Sequence, residues 1–249
     1  AAAMSNWGVL WRSLRANLPD QRYHDGSAVT GVEHCDAGGA SITFADGTSR
    51  HFDVVVGADG YRSQVRSAIV PGAEPSYAGY ILWRGNFPEG ELGDRMAIDR
   101  LDADGAWLTV CFEGGHGVMY PIPDFVDGGD QPGRRRINWA IYAPSPPGLQ
   151  ITEPTSIPPG EVTEEWFGDL QELLDREFPA ELRPLFGSPR EEVSIQPIYD
   201  QLVDTYVAGR AVLIGDAGTV TRPHTGSGAT KAMQDARFLE TLGEHHAEW

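Results

Sequence analysis

The chain has 249 residues, 41% of them hydrophobic, which is enough for one large or two modest cores and excludes disorder as the overall reading. Its 36 acidic and 19 basic residues give a formal charge of -17, a field that repels nucleic acid and anionic membrane, so neither is expected as a partner. The apolar runs fall far short of the ~20 residues a membrane span needs, and two distant cysteines without metal spacing fit a reducing, cytoplasmic setting.

Ala1–Ala3, ahead of Met4, read as cloning residue and are set aside. Asn6 to Leu18 spaces Val9, Leu10, Leu14 and Leu18 at helical intervals, and Pro19 ends the run. VTGVEH and SITFADGTSRHF read as strands around a tight Asp46-Gly47 turn. Asp53 to Ala58 is apolar without alternation, as in a strand covered on both faces of a parallel sheet, and it ends in Asp59-Gly60. YILWRG, MAID, AWLTVCF, GVMYPIP and INWAIYA then suggest a mostly antiparallel sheet, with Cys111, like Cys35 before it, expected as a small buried or half-buried hydrophobe. The triplet Arg134-Arg135-Arg136 reads as a solvated strand entry.

Residues 144 to 160 carry too many prolines for a core element. A helix is expected from Glu161, with Val162, Trp166, Phe167, Leu170, Leu173 and Leu174 toward one side. The α/β pattern returns at Arg210: AVLI is a second compact strand, delivered to Gly215-Asp216, and a glycine run opens a helix from Ser227 to Leu242. The expected class is therefore α/β (α+β), a discontinuous α/β domain from residues 5–76 and 190–249 around a sheet-rich insert at 77–189.

Asp59 and Asp216 both sit where parallel strands deliver ligands, and each has two readings. Either carboxylate satisfies local amides in a turn, or it accepts hydrogen bonds from ligand hydroxyls. Gly226 and Gly228 favour the second for Asp216, since glycines let a ligand approach backbone amides at a helix start. Ser227 reads as a helix cap; Arg62 and Arg66, one helical turn apart, could pair with Asp, Glu or phosphate, with an isolated surface arginine the default for either. The histidines are scattered without metal spacing, so no metal is expected. Neither a Gly-x-Gly-x-x-Gly turn after a strand nor a phosphate-cradling Gly-Lys-Ser/Thr loop occurs.

VVVGADGYRSQVR and GRAVLIGDAGTVTRPHTGSGATKAMQDA resemble the two internal flavin signatures of the class A FAD-dependent aromatic hydroxylases, the group with the 4-hydroxybenzoate hydroxylase fold. WGVLWRSLRANLP, PSYAGYILWRG and GHGVMYPIPD bring the chain nearest to the 2,6-dihydroxypyridine 3-hydroxylase-like monooxygenases, a resemblance that covers most of residues 5 to 242. It implies a truncated three-layer FAD/NAD(P)-binding domain without its N-terminal dinucleotide-binding portion, plus a sheet domain for substrate. It also implies FAD, held by Arg12, Asp59, Gly60, Asp216, Gly226, Ser227 and Gly228, with NAD(P)H as cosubstrate. Pro223 and His224 would border the reacting ring, and Tyr80, Trp83 and Tyr120 would line the pocket of a small hydroxylated aromatic or N-heteroaromatic substrate. Such a chain would be a fragment or one half of a split enzyme, completed by a separate N-terminal half or a homodimer; the competing expectation is a truncated, flavin-free homologue, a nonredox enzyme or ligand-binding protein that uses the same cavity.

Overall fold

The structure is a computed structural model that describes residues 7–36, 38–92, 107–124, 131, 134–151 and 156–245. It divides into two compact units, one of residues up to 23 together with 79–198, the other of 24–78 and 199 onward. We call them the sheet unit and the turn unit. The boundaries expected at 76/77 and 189/190 fall at 78/79 and 198/199, and the N-terminal helix groups with the sheet unit.

The sheet unit begins with α1 (Trp7–Arg15), which buries none of its residues; Trp7, Trp11 and Leu14 are all exposed. Its core is a five-stranded sheet in the order β6-β7-β8-β5-β9, from β5 (Ser76–Pro88), β6 (Leu108–Phe112), β7 (Gly115–Ile122), β8 (Arg136–Ala143) and β9 (Ser194–Asp200). The expected strand MAID lies outside the described residues. β9 was not foreseen, because Pro197 interrupts its pattern; a proline is tolerated there since β9 lies at the sheet edge. Ile157, at the end of the proline-rich stretch, pairs with Ile195 by two backbone hydrogen bonds of 2.8 and 3.0 Å.

Strand alternation sends Ile81, Trp83, Met119, Trp139 and Ile141 into one core with Leu170, Leu173 and Leu174 of α3 (Glu164–Glu177). Gly85 is required there, because a Cβ would come within 2.5 Å of the Trp139 ring. The helix starts at Glu164 rather than Glu161 because the Thr163 hydroxyl caps it, accepting from the Trp166 amide at 3.2 Å. Val162 is buried ahead of it.

Two expectations are corrected in this unit. Cys111 is exposed. Arg135 is not solvated: its guanidinium binds the buried Glu89 carboxylate in two hydrogen bonds of 2.8 and 3.0 Å, and Arg136 binds Asn86 Oδ1 at 2.5 Å. A guanidinium fork offers a buried carboxylate the paired donors it needs.

The turn unit holds an antiparallel sheet of β1 (Val29–Asp36), β2 (Gly39–Phe44) and β3 (Ser49–Phe52), with the Asp46-Gly47 turn where expected. Gly47 takes φ +81°, and the Asp46 carboxylate accepts from the Thr48 amide and hydroxyl at 2.9 and 2.7 Å. Beside it lies a sheet ordered β10-β11-β4, made by β4 (Val55–Gly57), β10 (Val207–Ala208) and β11 (Ala211–Leu213). β4 and β11 run parallel with Ala211, Val212 and Leu213 opposite Val55, Val56 and Gly57, the pairing expected of two covered strands separated by the insert. α2 (Gln64–Ile69) buries Val65 and Ile69, and α4 (Gly228–His245) follows the glycine run.

Candidate functional site

Because β4 and β11 are parallel and in register, their carboxyl ends bring the Asp59 and Asp216 turns side by side within the turn unit. The two carboxylates, alike in sequence, differ in what they touch. Asp59 is spent on its own turn: it accepts from the Ser63 hydroxyl at 2.5 Å and from the amides of Gln64 and Val65 at 2.7 and 3.3 Å. It thereby satisfies the first amides of α2, while Ser63 caps the Arg66 amide at 2.8 Å. Gly60 makes this turn possible with φ +75°.

Asp216 is exposed, and its carboxylate has no hydrogen bond among the described residues. The protein beneath it still pushes the carboxyl above the usual carboxylate range by desolvation, opposed by the charge of Lys231. The backbone of its turn is held on two sides. From α2, Arg66 donates to the carbonyls of Ala217 at 2.9 Å, Asp216 at 3.4 Å and Tyr61. From α4, Asp235 accepts the Gly215 amide at 2.8 Å and Lys231 donates to the Gly215 carbonyl at 3.1 Å. Arg66 is thus a buried tie between the two turns, not a surface arginine. Lys231 and Asp235 were missed, and Arg66 was read by default as a surface arginine, because what they hold across the fold is backbone carbonyls and an amide, which leave no pattern in the sequence.

After the Asp216 turn the chain runs through a short turn at Pro223–Thr225 to Gly226, which takes φ +61° with open space where a side chain would stand. Ser227 does not cap α4 through its hydroxyl, which pairs with the Thr225 hydroxyl at 2.6 Å; its carbonyl accepts from the Lys231 amide at 2.8 Å. Gly228 opens the helix. Pro223 and His224 are exposed. Arg222, just before them, grips Asp200 at 2.6 to 3.0 Å and holds that carboxyl below its usual range, with a smaller contribution from the charge of His224.

Arg12, Tyr80, Trp83 and Tyr120 belong to the sheet unit. Arg12 lies on exposed α1. The sheet separates the three aromatic residues: Trp83 is packed in the helix-covered core, a correction to its expected place beside Tyr80 and Tyr120. On the other face, register places Tyr142 opposite both Leu82 and His116, and Asn138 opposite Tyr120. His116 stacks on Tyr142 with centroids 4.6 Å apart, and Tyr80 lies 6.3 Å from it. No cluster of His, Cys, Asp and Glu able to hold a metal ion occurs among the described residues, and no described helix is long and apolar enough to cross a membrane.

The residues present fit the sugar-alcohol chain of a flavin nucleotide. An exposed carboxylate with no hydrogen bond among the described residues can accept from ligand hydroxyls, and the open, left-handed Gly226 leaves room for a flat ligand against the backbone.

Family models bear on both units. Residues 77–188 match a model described as FAD binding domain-like, and residues 161–243 match one described as FAD binding domain. The chain is 31% identical to 2,6-dihydroxypyridine 3-monooxygenase of Paenarthrobacter nicotinovorans across 97% of its own length and 61% of that protein. The solved 2,6-dihydroxypyridine-3-hydroxylase from Arthrobacter nicotinovorans superposes with a TM-score of 0.77 at 27% identity, covering 93% of this chain and 58% of that one. HpxO of Klebsiella pneumoniae, solved with FAD and uric acid, gives 0.62 at 27% identity over 91% of this chain and 51% of its own. The chain therefore spans about half to three fifths of the length of the curated relatives it matches.

Proposed function

We propose that the chain belongs to the class A FAD-dependent aromatic hydroxylases and forms part of a monooxygenase acting on a small hydroxylated aromatic or N-heteroaromatic ring. The observation that carries this reading is the contrast between the two strand-end carboxylates: Asp59 is saturated by its own turn, and Asp216 is left for hydroxyls from outside. FAD, when bound, supplies the redox and oxygen-transfer chemistry, with NAD(P)H as the source of electrons.

The chain's own residues bind and orient. Asp216 accepts from the ribityl hydroxyls, Asp59 and Gly60 shape the neighbouring turn, and Gly226, Ser227 and Gly228 offer backbone to the flavin. Arg12 contributes positive charge for the diphosphate. Pro223 and His224 border the reacting ring, with His224 a contact for a substrate hydroxyl. Tyr80 and Tyr120 belong to the substrate pocket, joined by Tyr142 and His116 from the same sheet face. A polypeptide corresponding to the unmatched part of the relatives, or a second copy of this chain, completes the assembly.

The test is FAD titration of the 249-residue chain, alone and with the N-terminal segment of the Paenarthrobacter relative, followed by visible absorbance and flavin fluorescence. FAD is expected to bind, and Asp216→Ala to weaken it roughly 10- to 100-fold, the value of hydrogen bonds to a charged acceptor. Failure of FAD to bind in either arrangement sinks the reading.

A further inference from the structure

The pair Lys231–Asp235 stands where helix energetics disfavour it. Lys231 occupies the opening of α4, which has no acidic residue in its first turn, and a cation there opposes the helix dipole. Spaced i, i+4 with the lysine first, the pair also has the less favourable order for an intrahelical ion pair. Its contacts outside the helix explain the arrangement. One oxygen, Asp235 Oδ2, accepts both Lys231 Nζ at 2.7 Å and the Gly215 amide at 2.8 Å, while Lys231 Nζ reaches the Gly215 carbonyl at 3.1 Å. Gly215 has φ +56°, and a Cβ would come within 3.1 Å of Ala232, so the turn is pressed against the helix that holds it.

Resting on the reading of Asp216 as a hydroxyl acceptor, we propose that Lys231 is a positioning residue: tethered by Asp235, it holds the Gly215 peptide so that the Asp216 carboxylate is presented, ionised, to the hydroxyl groups of a polyol-bearing ligand. Among the described residues the charged groups around the turn are Lys231 and Asp235 on α4 and Arg66 on α2, with the charges of Asp59 and Glu74 acting on Arg66. Arg66 is committed to backbone carbonyls, and Asp235 to Lys231 and the Gly215 amide. Lys231 is the cation whose charge opposes the desolvation of Asp216. Removing that charge moves Asp216 toward its protonated form, and a protonated carboxyl turns one of its two oxygens into a hydrogen-bond donor.

The experiment is a carboxyl-carbon NMR titration of Asp216 in the 249-residue chain, for wild type, Lys231→Met and Lys231→Arg, repeated as FAD affinity against pH. Lys231→Met is expected to move the Asp216 midpoint upward and Lys231→Arg to restore it; FAD affinity in Lys231→Met then fades at a higher pH than in wild type. Should Lys231→Met not fold, Lys231→Gln keeps a donor for the Gly215 carbonyl without the charge and is expected to give the same upward shift. A folded Lys231→Met or Lys231→Gln with the wild-type midpoint overturns the proposal. If the midpoint shifts but Asp216→Ala leaves FAD affinity unchanged, the positioning role stands and the hydroxyl-acceptor reading falls.

Discussion

Tyr142 shows how much chemistry a strand register decides. It is 7% exposed, and burial, with smaller contributions from Tyr120 and Tyr80, pushes its hydroxyl up to about 12 against the opposing charge of Arg84. Its folded value lies above the ordinary 10.0, so both states are protonated at neutral pH and the folded state keeps its proton longer. The stabilisation is fully present below pH 10.0 and is lost as pH rises toward about 12. A tyrosinate absorbance titration should show a step near pH 12 that Tyr142→Phe removes, and a step that survives the substitution would assign the shift to another tyrosine. Tyr142 was invisible as a site residue because INWAIYA reads as apolar strand throughout; only pairing with β7 shows that it shares a face with His116 and Tyr120 and not with Trp139. The sequence left Asp59 open between its two readings and tilted Asp216 only through Gly226 and Gly228, for a related reason: a carboxylate's partners in its own turn are amides, and those depend on backbone torsions.

At the scale of elements, patterning was legible wherever one periodicity ran uninterrupted. The compact apolar strands β4 and β11 announced a parallel pair across an insert, and the leucines of α3 announced its buried face. Start and stop points required capping geometry, which is why Thr163 moved the α3 boundary. The two contributions separate experimentally. Leu170→Ala, at a side chain 1% exposed, should cost about 2–5 kcal/mol through lost burial and the cavity left behind. Thr163→Ala should cost about 1 kcal/mol through the lost cap. Urea denaturation followed by tryptophan fluorescence reports both, since Trp139 and Trp83 lie in the same core as Leu170. A Thr163→Ala loss as large as that of Leu170→Ala would mean that the cap does more than satisfy one amide.

For the whole molecule, the apolar surface of the turn unit sets the remaining expectation. Among the described residues β4 is an edge of its sheet, with β11 as its parallel partner on one side, and Val56 on it is 47% exposed, whereas parallel strands are ordinarily covered. Nearby, Val207 and Phe238 are exposed at the rim of a groove of about 470 Å³ lined by β11 and the second half of α4. Apolar surface of this kind marks a place where polypeptide packs. In isolation the 249-residue chain should therefore self-associate or bind the apolar dye ANS, and the N-terminal segment of the Paenarthrobacter relative should suppress both. Phe238→Asp, a change at an exposed position that leaves the core untouched, should lower dye binding and self-association together. Light scattering measures the assembly directly. A monomer at high concentration that binds no dye would show that the groove and the β4 edge need no cover, and the expectation of a completing polypeptide would go with it.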